Sequence, residues 1–544
     1  MTGRDAALVR AAELERAGRL GEAADVLAAA ADADPRALAP LGRCLLRLGR
    51  WRDAAAAYEA ALRVEPRNVD SLANYGVALA EQGALERAVE AYTGALAVAP
   101  AHAIAHYNLG NALRELRRYA EAIASYERAL ALQPGWPEAN ANLGLACAAA
   151  GRIDDALAAY GRALERRPDH ALAHNGIGLA FQARGELARA AAHFDRALAL
   201  APEFPQAHSN RAQLRLLHGD FAAGWPEYEW RLRVPGHAVA PTAAPRWAGE
   251  PLKGKSIVLR AEQGLGDTLQ LVRFAPVLAG QGARVIVETQ PAIERLVRTC
   301  PGIAQVVPRG TPLPPHDFET PIASVPYRLG LAGDAIPGRA PYLEADAKRA
   351  AAAQKRIRRR GKLAVGIAWQ GNPAFPQDCF RSMPLAHFAP LASVPGVELF
   401  SLQKGHGAEQ LAAAPFPVTD LGAALDPAGG AFLDTAAAIA ALDLVVVSDS
   451  AVAHVAGALG RPVWVVLPLT PDWRWRLERT DTPWYPTMRL YRPQRLGAWD
   501  EVFERIARDL AALAGKAGAA RAGSPAAPGR SPRRGRPPKP ARRR

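Results

Sequence analysis

A glycine returns every 34 residues through the first half of this chain, at Gly42, Gly76, Gly110, Gly144 and Gly178, and the rest of a pattern returns with it. Twelve residues after each glycine stands Ala54, Ala88, Ala122, Ala156 or Ala190. Four residues later comes an aromatic, at Tyr58, Tyr92, Tyr126, Tyr160 or Phe194, then Ala61, Ala95, Ala129, Ala163 or Ala197, and Pro66, Pro100, Pro134, Pro168 or Pro202 closes the unit. Such a repeat cannot bury its own apolar face, so successive copies must stack into a solenoid with a continuous core. The small residues let two antiparallel helices approach, the aromatic is expected to fill the gap between neighbouring pairs, and the proline stops the second helix. A single compact domain is excluded, because the chain has 544 residues.

Five units in register, a looser one ending at Pro35 and a partial one after Pro202 resemble the tetratricopeptide repeat family. That resemblance implies a superhelix with a concave groove that binds protein or peptide. Two residues before the repeat glycine stand Asn74, Asn108 and Asn142, then Gly176, then Asn210 one period on. An amide both donates and accepts, so a ladder of them can hold an extended backbone without reading its side chains, or it can be a common structural choice at this position. A similar asparagine ladder is a feature of the repeats in protein O-GlcNAc transferases, and it makes these four residues candidates for acceptor binding.

After Gly224–Arg233 the period fails, a Pro- and Ala-rich stretch follows, and strands begin to alternate with helices. Ser256 to Arg260 and Ala283 to Glu288 read as the strands of a βαβ opening; Leu363 to Trp369, Val397 to Leu402, the Val418 region, Leu444 to Val447 and Val463 to Leu467 read as a second series. Two Rossmann-like lobes with a ligand cleft between them are expected, the chain returning through a helix near Glu501 to Leu513.

The loop Gly264-Leu265-Gly266-Asp267-Thr268 is not a dinucleotide fingerprint, since residue 269 is leucine, and no Walker lysine follows. Asp267 is either a helix-starting residue or a carboxylate held at the end of a strand. Further on, Val447-Ser448-Asp449-Ser450-Ala451-Val452-Ala453-His454 runs from an apolar strand into a helix whose first amides are free to receive an anion. GLGD, IAWQGNP with RSMPL, and VSDSAVAHVAGALGRPV together resemble the heptosyltransferase-like glycosyltransferases of family 9, over about Lys253 to Leu513.

The resemblance implies the two-lobed GT-B fold and inverting transfer from a nucleotide-sugar co-substrate with no cofactor and no metal. By position it makes Asp267 the general base and places Arg381 against the donor diphosphate. Asp449, Ser450, Ala451 and Val452 would cradle that diphosphate, with Gln370, Gly371, Asn372 and Lys404 lining the same cleft. His454 is a donor-site neighbour or a structural hydrogen bonder, and Asp472 to Trp475 stack on a nucleotide base or pack between lobes. Two departures stand out. Ala451 occupies a position where the family usually has glycine, and Lys253 to Leu343 is short for a full first lobe, so the repeats are expected to take the acceptor side. A protein or glycan acceptor follows; a scaffold with a non-catalytic transferase-like part and a lipopolysaccharide-type saccharide transferase are the alternatives.

The division expected is a tetratricopeptide solenoid over 1–234, a linker over 235–252, α/β lobes over 253–345 and 362–513, and a disordered basic tail over 514–544. From Leu513 onward there are ten lysines and arginines and no acidic residue, so the net charge of +14 falls to +4 over the remainder. Nucleic-acid affinity therefore belongs to the tail, where Arg534 to Pro537 resembles an AT-hook core, with plain solubilising charge as the alternative. Cys44, Cys147, Cys300 and Cys379 are scattered without CxxC spacing, which argues against a disulfide framework or zinc site. With no long apolar stretch, the expectation is a cytoplasmic protein of a bacterium, whose 59 arginines against 8 lysines reflect a GC-rich genome.

Overall fold

The computed structural model describes residues 3–236, 239–357, 361–427 and 432–522. Its first part is a row of seven antiparallel helix pairs. The first three are α1 (Gly3–Arg16) with α2 (Leu20–Ala31), α3 (Leu38–Arg47) with α4 (Trp51–Val64), and α5 (Val69–Glu81) with α6 (Leu85–Val98). Then come α7 (Ala103–Glu115) with α8 (Tyr119–Leu132), and α9 (Pro137–Ala149) with α10 (Ile153–Arg166). The last are α11 (Ala171–Ala183) with α12 (Leu187–Leu200), and α13 (Pro205–His218) with α14 (Phe221–Tyr228). The unit after Pro202 is thus a full pair whose second helix is only eight residues long and contains Pro226.

The aromatic of each unit lies on the glycine of its own pair, and Tyr160 also reaches Gly176 of the next, so that ring fills the space between pairs as expected as well as the glycine slot. A Cβ at Gly76 would come within 2.6 Å of the Tyr92 ring, and one at Gly144 equally close to Tyr160. The glycine recurs because the buried ring occupies the space of a side chain. Gly176 interrupts the asparagine series for a related reason: a Cβ there would run into the Tyr160 ring and hydroxyl. In the first unit Asp34 is 5% exposed; it accepts from the Arg36 amide and pairs with the Arg36 guanidinium.

Two all-parallel sheets follow. The first holds β1 (Ser256–Arg260), β2 (Arg284–Thr289), β3 (Ile303–Pro308) and β4 (Phe318–Pro321) in the order β3-β2-β1-β4. The second holds β5 (Leu363–Ala368), β6 (Val397–Ser401), β7 (Thr419–Asp420), β8 (Leu444–Ser448), β9 (Val463–Val466) and β10 (Met488–Tyr491) in the order β10-β9-β8-β5-β6-β7. Their central strands are buried along their length, as parallel strands covered on both faces must be.

Two expected boundaries shift. The stretch expected as a linker is fastened to the edge of β4: Trp247 N donates to Glu319 O (2.8 Å), Glu319 N donates to Pro245 O (3.1 Å), and Trp247 and Leu252 are buried. The helix Trp499–Ala522 does not return to the first sheet. It lays Val502, Phe503, Ile506 and Leu510 on the core of the second, against Leu363, Val365 and Phe388, and continues past residue 513 into the segment expected to be disordered. Residues 523–544, with the AT-hook-like stretch, lie outside the described residues.

The helix-to-helix turns of the last four repeats lie along the second α/β unit. Arg117 Nη1 donates to Pro373 O (3.1 Å), a Cβ at Gly151 would reach Cys379, one at Gly185 would touch Leu469, and one at Gly219 would strike the Arg476 guanidinium. The final turn of the solenoid grips the first unit: Arg231 donates to Glu262 Oε1 (2.9 Å) and Ser324 Oγ (2.7 Å), and Trp225 Nε1 to Leu331 O (2.7 Å). One buried apolar cluster consequently runs from Leu113 through both sheets to Leu490.

Candidate functional site

Where the three parts meet there is a cavity of about 870 Å³. The strand ends build two of its walls. From the first sheet, β1 delivers Glu262 to Asp267 at the start of α15 (Leu265–Leu271); from the second, β5 delivers Gln370 to Asn372, and β8 delivers Asp449 and Ser450 to the helix Ala451–Ala458. Loops beyond the C-terminal ends of parallel strands are where such sheets bind ligands. The third wall is solenoid: Leu145, Ala148, Leu179, Gln182, Ser209, Gln213 and Leu217, from α9, α11 and α13.

All eleven candidates from the α/β half line this one space: Asp267, Gln370, Gly371, Asn372, Arg381, Lys404, Asp449, Ser450, Ala451, Val452 and His454. Asn74, Asn108, Asn142 and Asn210 are not in its lining. Asn142 Nδ2 donates to Tyr107 OH (3.0 Å) and Asn111 Oδ1 (2.9 Å), and Asn210 Nδ2 to Asn175 Oδ1 (2.9 Å), so these two tie each repeat to the one before it.

α15 and the helix Ala451–Ala458 face each other closely enough that a Cβ at Gly266 would come within 2.8 Å of His454 Cδ2. Asp267 Oδ2 accepts from Gly264 N (2.9 Å) and Oδ1 from Arg474 Nη2 (2.5 Å). Burial alone would raise the Asp267 pKa, but the Arg474 guanidinium outweighs it and holds the carboxyl below its ordinary value. His454 Nε2 accepts from Arg474 Nη1 (3.4 Å), which leaves Nδ1 to donate to Tyr485 OH (3.0 Å). Tyr485 meets Tyr342 OH (3.2 Å), and Tyr342 donates to Leu269 O (2.9 Å), closing a ring of contacts back on α15. Burial, helped by the Arg474 charge, pulls the His454 pKa to about 3, so its imidazole is neutral.

Arg381 Nη1 donates to Asp449 O (2.9 Å), which sets its guanidinium beside the first amides of the helix Ala451–Ala458. Gly371 makes that possible, since a Cβ there would come within 2.7 Å of Arg381 Nη2. Ser450 Oγ, at the head of that helix, is a buried side-chain oxygen with no partner, as is Gln370 Oε1, which lies against Gly407. Helix amides, a fixed cation and unsatisfied polar atoms together suit an anionic oxygen-rich ligand. Two expected roles change. Lys404 Nζ is taken by Leu425 O (2.5 Å) and Asp426 O (3.1 Å), and Asp449 Oδ2 accepts from Trp475 Nε1 (2.9 Å) in a setting where burial raises its pKa.

Of the tandem Asp472 to Trp475, Trp473 and Trp475 are buried, and Trp473 meets Trp225 of the solenoid edge-on at 5.1 Å. They pack between parts, and Trp473 also lines the cavity. Sequence reading missed Glu262, whose Oε2 is buried without a partner beside the cavity, although its place at the end of β1 was a usable signal. It also missed Gln182 and Gln213, which nothing in the repeat pattern distinguishes. Among the described residues no three His, Cys, Asp or Glu side chains are grouped to hold a metal, all four cysteines are free, and no helix is long and apolar enough to cross a membrane.

The tetratricopeptide repeat family matches residues 40–97, 103–135, 141–203 and 177–228. Protein FlbA of Caulobacter vibrioides is 28% identical over 333 residues, which cover 56% of this chain and 55% of FlbA, so the chain spans about half the length of that curated relative. Among solved structures, MamA from Desulfovibrio magneticus RS-1 is 25% identical over 31% of this chain and 96% of its own, with a TM-score of 0.30. A tetratricopeptide repeat protein from Parabacteroides merdae is 20% identical over 42% of this chain and 92% of its own, with a TM-score of 0.38. The first part of the chain, the row of helix pairs, is a solenoid of tetratricopeptide repeats followed by an α/β region.

Proposed function

We propose that the α/β region is an inverting, metal-independent glycosyltransferase of GT-B type, taking a nucleotide-sugar and a polypeptide or glycan acceptor that enters from the solenoid side. The observation that carries this reading is the convergence of Asp267, Arg381 and the amides after Ser450 on a single cavity closed by repeat helices. In this scheme the diphosphate sits on those amides and on Arg381, which stabilise the charge gathering on the leaving oxygen. The acceptor oxygen bonds to the anomeric carbon, the bond to phosphate breaks with its electron pair, and the acceptor proton passes to Asp267.

The engagement of both Asp267 oxygens favours a second reading, a protein-binding scaffold whose transferase-like part takes nucleotide-sugar without turnover. Asp267→Asn separates the two. For an enzyme, donor affinity persists while transfer, followed by acceptor mass, drops roughly 10²- to 10⁴-fold; for a scaffold, wild type and variant bind alike and neither transfers. Thermal shift against UDP-, ADP-, GDP- and CMP-sugars tests the donor site first, since a ligand at 100 times its Kd stabilises by about 2.7 kcal/mol. A protein that responds to none of them lacks the proposed site.

A further inference from the structure

In the turn between the two helices of each repeat, one backbone position is held at positive φ: 74° at Gly18, 70° at Gly49, 76° at Gly83, 77° at Gly151 and Gly185, and 87° at Gly219. At this period the remaining repeat has Arg117, at φ 62°. The turn is otherwise the same: Arg117 N donates to Arg114 O (3.0 Å) and Arg118 N to Leu113 O (2.8 Å), as Gly83 N does to Ala80 O (2.8 Å) and Ala84 N to Leu79 O (2.9 Å). Glycine is the unstrained choice there, and an arginine accepts a disfavoured backbone conformation that the repeat itself does not require.

The Arg117 guanidinium leaves its own repeat and donates to Pro373 O across 256 residues of sequence. Pro373 begins a short, internally bonded loop. Asn372 Oδ1 accepts from Ala374 N (2.9 Å), Asn372 O from Phe375 N (2.9 Å), and Phe375 O from Asp378 N (3.0 Å). Asp378 Oδ1 then accepts from Arg381 Nε (2.9 Å), and the Arg381 guanidinium lies 4.5 Å from the centre of the Phe375 ring. The far end of the loop, at Cys379, rests by the turn of the next repeat at Gly151.

We infer that Arg117 is a positioning residue: it fixes the 373–381 loop to the repeats and thereby sets Arg381 beside the first amides of the helix Ala451–Ala458. The inference rests on the reading of that cavity as a nucleotide-sugar site. It makes the fourth repeat, none of whose residues lines the cavity, part of what sets donor affinity.

Arg117→Gly and Arg117→Asn both tolerate the left-handed backbone, and neither reaches Pro373. The full-length variants are compared with wild type by amide hydrogen exchange without ligand and by calorimetric titration with UDP, ADP, GDP and CDP. Faster exchange over 373–381, with an undiminished melting temperature and about three- to tenfold weaker nucleoside diphosphate affinity, is expected for loss of one charge-assisted hydrogen bond in the path. Unchanged exchange in the loop, or changed exchange with unchanged affinity, overturns the positioning role alone. Exchange rising across the whole fourth repeat with a lowered melting temperature makes Arg117 a structural residue and overturns it as well. A wild-type protein that binds none of the four diphosphates overturns the nucleotide reading, and this inference with it.

Discussion

His454 has a sharply perturbed environment in the cavity, and it offers a test that needs no substrate. Its unfolded value is near 6.5 and its folded value about 3, so between those pH values the unfolded chain holds a proton that the folded chain refuses. The stability this residue contributes is complete above pH 6.5 and is lost as pH falls towards 3, at up to about 1.4 kcal/mol per pH unit. His454→Gln removes the titration. Urea unfolding of both proteins from pH 7 to pH 5 should show the gap between them narrowing as the medium becomes acidic; parallel curves would mean that His454 takes up its proton as readily in the folded chain as in the unfolded one. The residue's place after a strand was legible in the sequence. Its neutrality was not, because Arg474 and Tyr485 reach it from separate loops twenty and thirty-one residues away.

At the scale of elements, the solenoid was the legible half, because a 34-residue period records packing directly: the glycine slot is the imprint of a buried ring. Gly144→Ala should therefore destabilise by about 1 to 3 kcal/mol, since its Cβ would press on Tyr160, which is 1% exposed and has no room to move. Gly161→Ala, inside α10 with no atom within 4 Å of its new Cβ, should stabilise by about 0.5 to 1 kcal/mol. Chemical denaturation of the two variants must give opposite signs, and equal signs would show that propensity, not the ring, decides these positions. The strands β3, β4 and β10 were not read from sequence. β4 carries Glu319, Thr320 and Pro321, which break any apolar run; it is buried because Arg260 pairs with Glu319 and because the chain around Trp247 covers its edge. Both causes are tertiary, and neither leaves a local trace.

At the scale of the whole molecule, the repeats divide into two groups by what they pack against. The first three units bury their cores in separate clusters, Ala11 to Ala78, Leu79 to Ala112, and Ala73 to Ala105, whereas the cluster that starts at Leu113 runs unbroken through the last four repeats and both sheets. No cavity-lining residue precedes Leu145. Solenoid stability is a sum of units and their nearest-neighbour interfaces, so removing units from the free end should cost only the interface that is opened. On α7 the residues uncovered are largely alanines, Ala105 and Ala112. A chain lacking residues 1–99 is therefore expected to unfold in urea cooperatively, with a lower m value in proportion to the surface lost and a midpoint close to that of the full protein's α/β transition. Deleting 1–203 instead strips α9 to α12 from the shared core and opens the wall of the cavity formed by Leu145, Leu179 and Gln182. That fragment should show no cooperative transition. If it unfolds as sharply as the chain lacking 1–99, the α/β region folds independently of the repeats, and the continuity of the core from Leu113 to Leu490 is contact without consequence.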